Sequence, residues 1–464
     1  MEWQNEKLEE FKSYIKNRKT AIIGLGVSNI PLLDYLYNLG AKITVFDNRT
    51  IDEIDTKILN QMEEKNIDFS FGKNNLSKLV GYEIIFRSPT CRPDTIELVK
   101  ESERGAIITS EIEMLMELCP GTVIGITGSD GKTTTTSLIY EIIQQQGFNC
   151  YLGGNIGIPL FSKIDEMRPN DIVILELSSF QLMEMPISPQ ISVITNISPN
   201  HLDIHKSYEE YIESKKNIFK NQNENGIVIL NYDNEITRQC ASEAKGKVVF
   251  FSKDYKLPNG VILDNNVIKV CQDKLRKHLL NTKDLMLKGT HNYENACAAI
   301  AATLSLADSE KQVDAIQKFK GVKHRLEFVR ELDGIKWYND SIGTSPTRTI
   351  AGLKSFEEKI VLIAGGYDKN LDYEPIATPI LQKVSTLILM GQTAIKIKKV
   401  VEEKKVDENI EIYECDTLRE AVEIASKTAQ KGDVVLFSPA SASFDMYKNF
   451  EERGDKFKTI VNSL

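Results

Sequence analysis

The sequence lacks the features that mark membrane, secreted and nucleic-acid-binding proteins. No apolar run reaches the roughly 20 residues that a membrane-spanning helix needs, and the first residues are charged, without the apolar core of a signal peptide. The seven cysteines form no CxxC pair, and their odd number fits a reducing compartment. A net charge of −9 argues against a nucleic acid bound through a broad basic face. We therefore predict a cytoplasmic protein that binds neither membranes nor nucleic acids.

The apolar segments of the chain indicate three successive α/β units. Three times, a short apolar strand is followed by a turn of small residues and a helix-like stretch, beginning at AIIGLG, VIGITGSDGKT and IVLIAGG. Strands such as DIVILE are apolar throughout, which is typical of parallel sheets covered on both faces. We predict an α/β fold in three domains, residues 1–112, 113–321 and 322–464.

The strongest single motif resembles a phosphate-binding loop. Gly128 to Thr133 lie between an apolar strand and a helix, where glycines let backbone N–H groups face a phosphate. Lys132 is placed to reach the β- and γ-phosphates, and the Thr133 hydroxyl to bind Mg²⁺. The match is imperfect, because Ile126 stands where the standard pattern has glycine and Gly125 comes one residue too early. A surface turn with an incidental lysine is the alternative, but strand, loop, GKT and helix coincide.

The first glycine-containing loop gives a weaker signal. Gly24 to Asn29 resembles a dinucleotide fingerprint, and Asp47 ends the next strand at about the right distance. Asn29 replaces the third glycine, however, and a lone GxG is also a common packing turn. NAD binding is therefore one interpretation, and we favour a nucleotide-sugar site built on the same geometry.

Three polar residues follow the phosphate loop at positions that suit metal chemistry. Glu176 ends a buried strand, where a carboxylate near a phosphate loop can bind Mg²⁺, although an ordinary charged strand end is the alternative. His201 follows a second buried strand and could serve the same chemistry. A loop histidine without a functional role explains its position equally well. Lys215 lies in a helical stretch whose lysines are ordinarily solvated, so its position alone does not single it out.

Taken in order, the motifs of the chain resemble those of the Mur ligase family. They are TGSDGKTTTT, LELSSFQL, NISPNHLDIH with ESKKNIF, GTHNYENACAAIA, GVKHRLEFV and WYNDSIGTSPTRT. The resemblance covers nearly the whole chain. It implies a three-domain architecture: a Rossmann-like N-terminal domain for a UDP-sugar, a central P-loop ATPase-like domain with a mainly parallel sheet, and a Rossmann-like C-terminal domain for an amino acid.

Two further stretches, GGYDKNLDY and FSPASASFDMYKNFEERGDKF, resemble members of the family that add D-glutamate, and the DNPR signature of another member is absent. The resemblance implies ATP-dependent ligation of D-glutamate to UDP-N-acetylmuramoyl-L-alanine through an acyl phosphate, giving ADP and phosphate. It places the protein in peptidoglycan precursor synthesis, and so in cell wall biogenesis, cell shape and cell division. We expect a monomer.

The resemblance also implies a set of site residues, with ATP and two Mg²⁺ ions. The catalytic residues are Lys132, His201 and Lys215. The metal ligands are Thr133, Glu176, His201 and Lys215, the last carbamylated. The nucleotide residues are Gly128, Ser129, Asp130, Gly131, Lys132, Thr133, Thr134, Asn292, Asn295, Arg325 and Asp340. The UDP-sugar residues are Val27, Ser28, Asp47, Asn48, Arg49, Ser88 and Asn155, and the D-glutamate residues are Thr344, Lys369, Ser443, Phe444 and Phe450.

Two positions depart from the family's motifs. Ile342 occupies a position that most often carries lysine, and Thr90 one that is often glycine. Three alternatives remain open at this point. The first alternative is a sibling amino-acid ligase, such as one that extends folate with glutamates. The second is an NAD-dependent oxidoreductase, and the third is a nucleotide-gated interaction module without turnover.

Overall fold

The structure, a computed structural model, describes residues 3–199, 205–273, 275–287, 289–368, 371–404 and 410–464. It confirms the predicted α/β fold class, with mainly parallel sheets of five, nine and six strands. The chain divides into two compact units, Met1–Phe319, which holds the first two sheets, and Lys320–Leu464, which holds the third. Across the described residues, no helix combines the length and apolarity needed to cross a membrane.

The N-terminal sheet is fully parallel, in the order β3-β2-β1-β4-β5. Its elements are α1 (Glu6–Ile15), β1 (Lys19–Ile23), α2 (Asn29–Asn38), β2 (Lys42–Asp47), α3 (Thr56–Glu64), β3 (Asp68–Phe71), β4 (Ile84–Arg87), α4 (Ile96–Glu103), β5 (Ile107–Thr109) and α5 (Glu111–Leu118). The central strand β1 is buried from its second residue onward. This arrangement brings the carboxyl ends of β1, β2 and β4 together, where α/β sheets bind ligands.

The central sheet runs in the order β14-β13-β12-β11-β10-β9-β6-β8-β7, parallel from β7 to β12 and antiparallel at the β12–β14 edge. Its strands are β6 (Thr122–Thr127), β7 (Cys150–Gly154), β8 (Ile172–Glu176), β9 (Ile191–Ile194), β10 (Ile227–Asn231), β11 (Lys247–Ser252), β12 (Gly260–Asp264), β13 (Val267–Gln272) and β14 (Leu275–Asn281). Its helices are α6 (Lys132–Gln146), α7 (Ser179–Leu182), α8 (Tyr208–Lys220), α9 (Glu235–Gln239), α10 (Thr290–Thr303) and α11 (Ser309–Lys318).

The third sheet forms the second unit, in the order β15-β16-β20-β17-β18-β19, and only β15 and β16 pair antiparallel. Its strands are β15 (Glu327–Leu332), β16 (Ile335–Asn339), β17 (Ile360–Ala364), β18 (Val384–Met390), β19 (Glu411–Cys415) and β20 (Val434–Phe437). Its helices are α12 (Pro346–Leu353), α13 (Ala377–Lys383), α14 (Ala394–Lys404), α15 (Leu418–Thr428) and α16 (Phe450–Asn462). Both faces carry buried clusters, so this unit has a core of its own.

The first two sheets share one apolar cluster within the first unit. Phe11 of α1 packs edge-on against Phe161, which follows β7, the edge strand of the central sheet, with ring centres 5.9 Å apart. The hydroxyl of Tyr35 on α2 donates to Asp165 at 2.7 Å. Because these contacts cross the predicted boundary near residue 112, that boundary stays a prediction.

Candidate functional site

The phosphate loop predicted from the sequence connects β6 to α6. Gly128 has a φ of 147° and Gly131 a φ of 78°, a range that residues with a β-carbon seldom adopt. An added β-carbon would lie 1.9 Å from Thr195 Oγ1 at position 128, and 2.3 Å from Asn295 Oδ1 at position 131. Both positions therefore require glycine, which lets the chain turn tightly from β6 into the start of α6.

Two lysines converge on the main chain of this loop. Lys132 Nζ donates to the carbonyl oxygens of Gly128 and Ser129, each at 2.9 Å, and Lys215 Nζ on α8 donates to Gly128 O at 2.8 Å. Lys215 is only 2% exposed, and its Nζ lies 4.7 Å from the ring centre of Tyr211. Burial, and after it the charge of Lys132, lowers the pKa of Lys215 well below its usual value. The site therefore favours the neutral amine of this lysine.

A buried carboxylate lies beside the base of the loop. Glu176 ends β8, and the strand register pairs it with Ile126 of β6. Its Oε1 accepts a hydrogen bond from Asn155 Nδ2 at 2.9 Å, whereas its Oε2 is buried and has no hydrogen-bond partner among the residues that the structure describes. An unpartnered buried carboxylate oxygen is costly. It is also the kind of ligand that Mg²⁺ prefers.

The residues present fit a Mg²⁺ site in the chemistry of their donor atoms. Thr133 is buried in the first turn of α6 and offers a hydroxyl oxygen, while Glu176 offers its unpartnered Oε2. His201 lies outside the described residues, so its predicted role stays a prediction. No three His, Cys, Asp or Glu side chains within the described part of the chain form a metal cluster. Among the described residues, Thr133 and Glu176 are therefore the ones whose oxygen atoms could hold a cation here.

Several residues that support the loop were missed in the sequence. Thr195 Oγ1, just after β9, donates to Asp130 O at 2.6 Å, and Asn196 Oδ1 accepts from Asp130 N at 2.9 Å. The Ser129 and Tyr211 hydroxyls lie 2.9 Å apart. Tyr211 stands one helical turn before the buried lysine of α8, and this spacing was the only available signal.

Helix α10 brings one predicted nucleotide residue to the loop. Asn295 is 7% exposed, and its Oδ1 accepts from Thr135 Oγ1 at 3.4 Å and faces Gly131. Asn292, about one turn earlier, and Thr134 are half-buried. The structure thus places Asn295 against the phosphate loop, whereas nucleotide binding by all three residues stays a prediction.

At the N-terminal sheet, a carboxylate and an arginine join the first loop to the end of β2. Leu25 N donates to Asp47 Oδ2 at 2.8 Å. Arg49 Nε donates to Asp47 Oδ1 at 3.0 Å, and its Nη2 donates to Leu25 O at 3.0 Å. Burial raises the pKa of Asp47, but the bonds from Arg49 and Leu25 outweigh it and hold that pKa below its usual value. An ionised carboxylate therefore shapes the predicted UDP-sugar loop.

The residue that replaces the third fingerprint glycine has a structural role. Asn29 Nδ2 donates to Ile23 O at 3.1 Å and to Gly24 O at 2.8 Å, bracing the loop from within. Ser88 approaches from β4, because a β-carbon at Gly24 would lie 2.9 Å from its Oγ. The remaining predicted residues here, Val27, Ser28 and Asn48, are half-buried or exposed. Asn155, by contrast, is placed in the central sheet beside Glu176.

In the second unit, a buried carboxyl follows β16. Asp340 Oδ2 accepts from Ser438 Oγ at 2.6 Å, and its Oδ1 from Leu326 N at 3.2 Å. Burial raises the pKa of Asp340 to about 6, although these bonds and the charge of Arg325 oppose the rise. Arg325 is exposed between His324 and Leu326, whose φ values are 62° and 42°. Positive φ at two bulky residues is typical of functional segments.

A buried arginine joins the loops that carry the predicted D-glutamate residues. Arg453 Nη2 donates to Ser341 O at 2.9 Å and to Ser441 O at 3.0 Å, and Nη1 donates to Ala442 O at 2.8 Å. The predicted residues on these loops are Thr344 and Phe450, half-buried, Ser443, buried, and Phe444, exposed. Lys369 lies outside the described residues. Arg453 was missed because arginines in helical stretches are usually solvated.

Three sequence profiles match along the chain. They are the Mur ligase MurD-like N-terminal domain at residues 18–110, the Mur ligase middle domain at 126–303 and the Mur ligase glutamate ligase domain at 324–441. The chain is 50% identical to the UDP-N-acetylmuramoylalanine–D-glutamate ligase of Acetivibrio thermocellus, covering 99% of both chains. The chain belongs to the Mur ligase family. A second Mur ligase, the protein of the same name from Clostridium acetobutylicum, is 48% identical, with 98% of both chains covered.

Solved Mur ligase structures share the fold. A UDP-N-acetylmuramoyl-L-alanyl-D-glutamate–2,6-diaminopimelate ligase aligns with a TM-score of 0.53 at 17% identity, covering 84% of this chain and 93% of its own. The MurF ligase of Thermotoga maritima aligns with a TM-score of 0.52 at 17% identity, covering 97% of both chains. Membership of a ligase family leaves no support for an NAD-dependent oxidoreductase.

Proposed function

We propose that the protein ligates D-glutamate to UDP-N-acetylmuramoyl-L-alanine with ATP, forming an amide bond and releasing ADP and phosphate. The observation that carries the proposal is the phosphate loop over which Lys132 and Lys215 converge, beside the buried carboxylate of Glu176. Identity of about 50% to relatives that bear the name of this activity supports the choice of substrates. The product would enter peptidoglycan precursor synthesis, and we expect the reaction to occur in the cytoplasm.

In the first step, the substrate carboxylate attacks the γ-phosphorus of ATP, the bond to the β-phosphate oxygen breaks, and an acyl phosphate forms. Transfer between anions needs cations and N–H donors around the phosphoryl group. Lys132 would leave the carbonyls that it now contacts and bind the phosphates, while the backbone of Gly128 to Gly131 holds them. Mg²⁺, bound through Thr133 and Glu176, would supply charge neutralisation and orientation.

Lys215 would act as an oxygen ligand after carbamylation. Burial lowers its pKa and so favours the neutral amine, whose nitrogen lone pair can attack CO₂. A nitrogen–carbon bond forms, one C=O π bond of CO₂ opens, one proton passes from the nitrogen to solvent, and an anionic carbamate replaces the neutral amine. The carbamate would place a negative charge near Lys132, because both lysines meet at the Gly128 carbonyl.

In the second step, the amine of D-glutamate attacks the acyl carbon, and phosphate leaves as the tetrahedral intermediate collapses to the amide. We infer that the loops joined by Arg453 hold the amino acid, since they carry Thr344 and Ser443 as hydroxyl donors. The first loop with Asp47 and Arg49 would hold the UDP group.

The experiment that tests this route follows one oxygen atom. UDP-N-acetylmuramoyl-L-alanine labelled with ¹⁸O in its carboxylate is incubated with ATP, Mg²⁺ and D-glutamate, and product and phosphate are analysed by mass spectrometry. We expect product heavier by one glutamyl residue and one ¹⁸O atom in the released phosphate. Unlabelled phosphate alongside product would contradict the acyl phosphate, and absence of product would contradict the proposed function. Lys132→Ala is expected to abolish both signals.

A further inference from the structure

The turn that follows β3 is tied to the end of β2. Gly72 N donates to the carbonyl oxygens of Asp47 at 3.0 Å and of Arg49 at 2.9 Å. Asn75, three residues later, is only 3% exposed, and its Nδ2 donates to Gly72 O at 2.8 Å. These bonds brace the turn, and they bring the side chain of Asn75 against Asn48, the residue that follows β2.

The amide of Asn75 determines which end of the Asn48 amide faces it. Asn75 Nδ2 donates a second hydrogen bond to Asn48 Oδ1, at 2.7 Å. The backbone carbonyl of Gly72 can only accept, so the NH₂ group of Asn75 has to lie on that side of its amide. The atom of Asn48 that meets this NH₂ group must then be an acceptor, and the acceptor of an amide side chain is its oxygen. The hydrogen-bond network therefore fixes the orientation of Asn48.

Asn48 in consequence turns its NH₂ group, rather than its oxygen, away from Asn75. Its side chain is exposed, and its Nδ2 has no hydrogen-bond partner among the residues that the structure describes. The oxygen of Asn75 is buried and likewise unpartnered within the described part of the chain, so the contact between the two side chains relies on the NH₂ group of Asn75. Asn48 thus offers a hydrogen-bond donor to a ligand at the end of β2.

The position of Asn48 matches that of a nucleobase in a nucleotide-binding α/β sheet. In such sheets the phosphates lie at the loop after the first strand, and the ribose lies near an acidic residue at the end of the second. Here Asp47 joins these two segments by accepting from Leu25 N, and Asn48 follows it beside the turn after β3. Because a nucleotide runs from phosphate through ribose to base, the base of a UDP group would reach Asn48.

A donor at this position discriminates between pyrimidine bases. Uracil carries a carbonyl oxygen at C4, which accepts a hydrogen bond, whereas cytosine carries an amino group there, which donates. An NH₂ group from the protein therefore pairs with uracil and leaves the amino group of cytosine facing another donor. An oxygen at the same place would reverse the preference.

We propose that Asn75 is a positioning residue that selects a uridine over a cytidine nucleotide. By holding the oxygen of Asn48, it keeps the NH₂ group of Asn48 directed at C4 of the base. The inference rests on the proposed function, in which the first loop and the end of β2 hold the UDP group. Replacing the amide of Asn75 with a carboxylate would remove its NH₂ group at nearly unchanged size, so Asn48 would turn its own NH₂ group inward and its oxygen toward the base.

Steady-state kinetics of the full chain with UDP-N-acetylmuramoyl-L-alanine and with its CDP analogue test the inference, with phosphate release as readout. We expect Asn75→Asp to lower the preference for the UDP substrate, measured as the ratio of the two kcat/KM values, about tenfold or more. Asn48→Asp should lower it by a similar factor, because it presents an oxygen to the base and leaves the buried Asn75 in place. The KM values for ATP and D-glutamate should stay within about twofold in both variants.

Asn74→Asp is the matched control. It makes the same chemical change one residue earlier, at an exposed side chain that forms no cap hydrogen bond, and it should keep the preference of the unsubstituted protein. Should thermal melting show Asn75→Asp to be unfolded, Asn75→Ala replaces it. Loss of the amide leaves Asn48 free to rotate, and the preference should then fall about threefold or more.

An unchanged preference in the Asn75 variant or in Asn48→Asp would overturn the inference. Equal losses of kcat/KM with both substrates would also overturn it, because a merely structural role of the turn predicts that result, and so would an unsubstituted protein that does not distinguish the two substrates. In all these cases the unsubstituted protein still ligates D-glutamate to the UDP substrate, and the proposed function stands. If it does not ligate D-glutamate, the proposed function fails and the inference fails with it.

Discussion

At the scale of single residues, the site contains charges that folding alone would not favour. Lys215 is buried against a carbonyl and an aromatic ring, and its hydrogen bonds go to the Gly128 carbonyl and the Thr127 hydroxyl. Its neighbour Lys216 instead pairs with Glu213 and Glu243. A buried lysine such as Lys215 costs stability because burial opposes its charged form, whereas partly exposed ion pairs contribute little. The difference between these adjacent lysines can be measured.

We predict that Lys215→Met abolishes turnover and raises the free energy of unfolding at pH 7 by on the order of 1 kcal/mol or more. The pKa of Lys215 is lowered, so the unfolded chain binds its proton more tightly than the folded chain does. The free energy of unfolding of the unsubstituted protein should therefore rise as pH increases from the folded pKa of Lys215 toward 10.5. The Lys215→Met variant should lack this increase. Urea unfolding at pH 7 and pH 9 measures both effects.

Lys216→Met is the matched control for that measurement, and we expect it to lower stability by about 1 kcal/mol or less because it removes only partly exposed ion pairs. Destabilisation by Lys215→Met at pH 7 would contradict the account of a costly buried amine. Full activity of that variant would remove the lysine from the mechanism.

Asp340→Asn tests the buried carboxyl of the second unit. Burial raises the pKa of Asp340 to about 6, so the stability that its protonated form provides at low pH is lost as pH rises through about 6. The asparagine amide carries no charge. Its oxygen can accept the hydrogen bond from Leu326 N, and its NH₂ group can donate to Ser438 Oγ once the serine hydroxyl rotates. The stability that the protonated form provides is complete only below about pH 3.8, so we predict that the advantage of the variant in unfolding free energy grows by about 2 kcal/mol between pH 4.5 and pH 7.5. Urea unfolding that shows the same difference at both pH values would refute this.

The sequence alone predicted site residues that lie at the end of an apolar strand. Glu176 and Asp47 were predicted because each closes an apolar strand, and the structure places each in a hydrogen-bonded loop. Thr195 and Arg453 were missed because their contacts join residues 65 and 112 positions apart in the chain. Such contacts follow from sheet order and helix packing, which local patterns do not encode. Lys215 was predicted only through the family resemblance, since the sequence of its helix indicates lysines exposed to solvent.

At the scale of elements, helix α6 begins and ends at glycines with similar backbone conformations but different surroundings. Gly131 has a φ of 78° and faces Asn295, whereas Gly147 has a φ of 99° and nothing within 4 Å of an added β-carbon. The pair therefore separates the cost of a left-handed backbone from the cost of a clash with α10.

We predict that Gly147→Ala lowers the free energy of unfolding by about 1 kcal/mol, the cost of the backbone conformation alone. Gly131→Ala should cost more, because its β-carbon meets Asn295 Oδ1 at 2.3 Å, and it should also weaken ATP binding. Urea unfolding and ATP titration of the two variants check this. Equal costs with equal ATP affinity would show that α10 is not held against the loop.

The order of strands and helices was predictable for most of the chain, because each predicted strand start coincides with an observed strand, β1, β6 and β17 among them. The pairing of strands within the sheets was harder to predict from the sequence. The hairpins that join β12 to β13 and β13 to β14 turn the edge of a parallel sheet antiparallel. Burial along these short strands does not alternate strictly, so their residue pattern does not specify a pairing partner.

At the scale of the whole molecule, the chain consists of two compact units. Lys320–Leu464 holds a complete six-stranded sheet with apolar clusters on both faces, and a core of this kind supports independent folding. We predict that the fragment 320–464 unfolds cooperatively by itself, followed by circular dichroism, and that the fragment 1–319 binds ATP but ligates nothing. A fragment 320–464 without fixed near-ultraviolet signals would contradict this. The full chain serves as the control for both.

The central claim is most directly tested by phosphate release from ATP in the presence of UDP-N-acetylmuramoyl-L-alanine, with D-glutamate, with L-glutamate, with other amino acids and with none. The account predicts release that requires both the UDP-sugar and D-glutamate. Release driven by a different amino acid would keep the ligase chemistry and contradict the assigned substrate. Phosphate release that does not depend on the amino acid, or the absence of any phosphate release, would contradict the claim that this protein is a D-glutamate ligase.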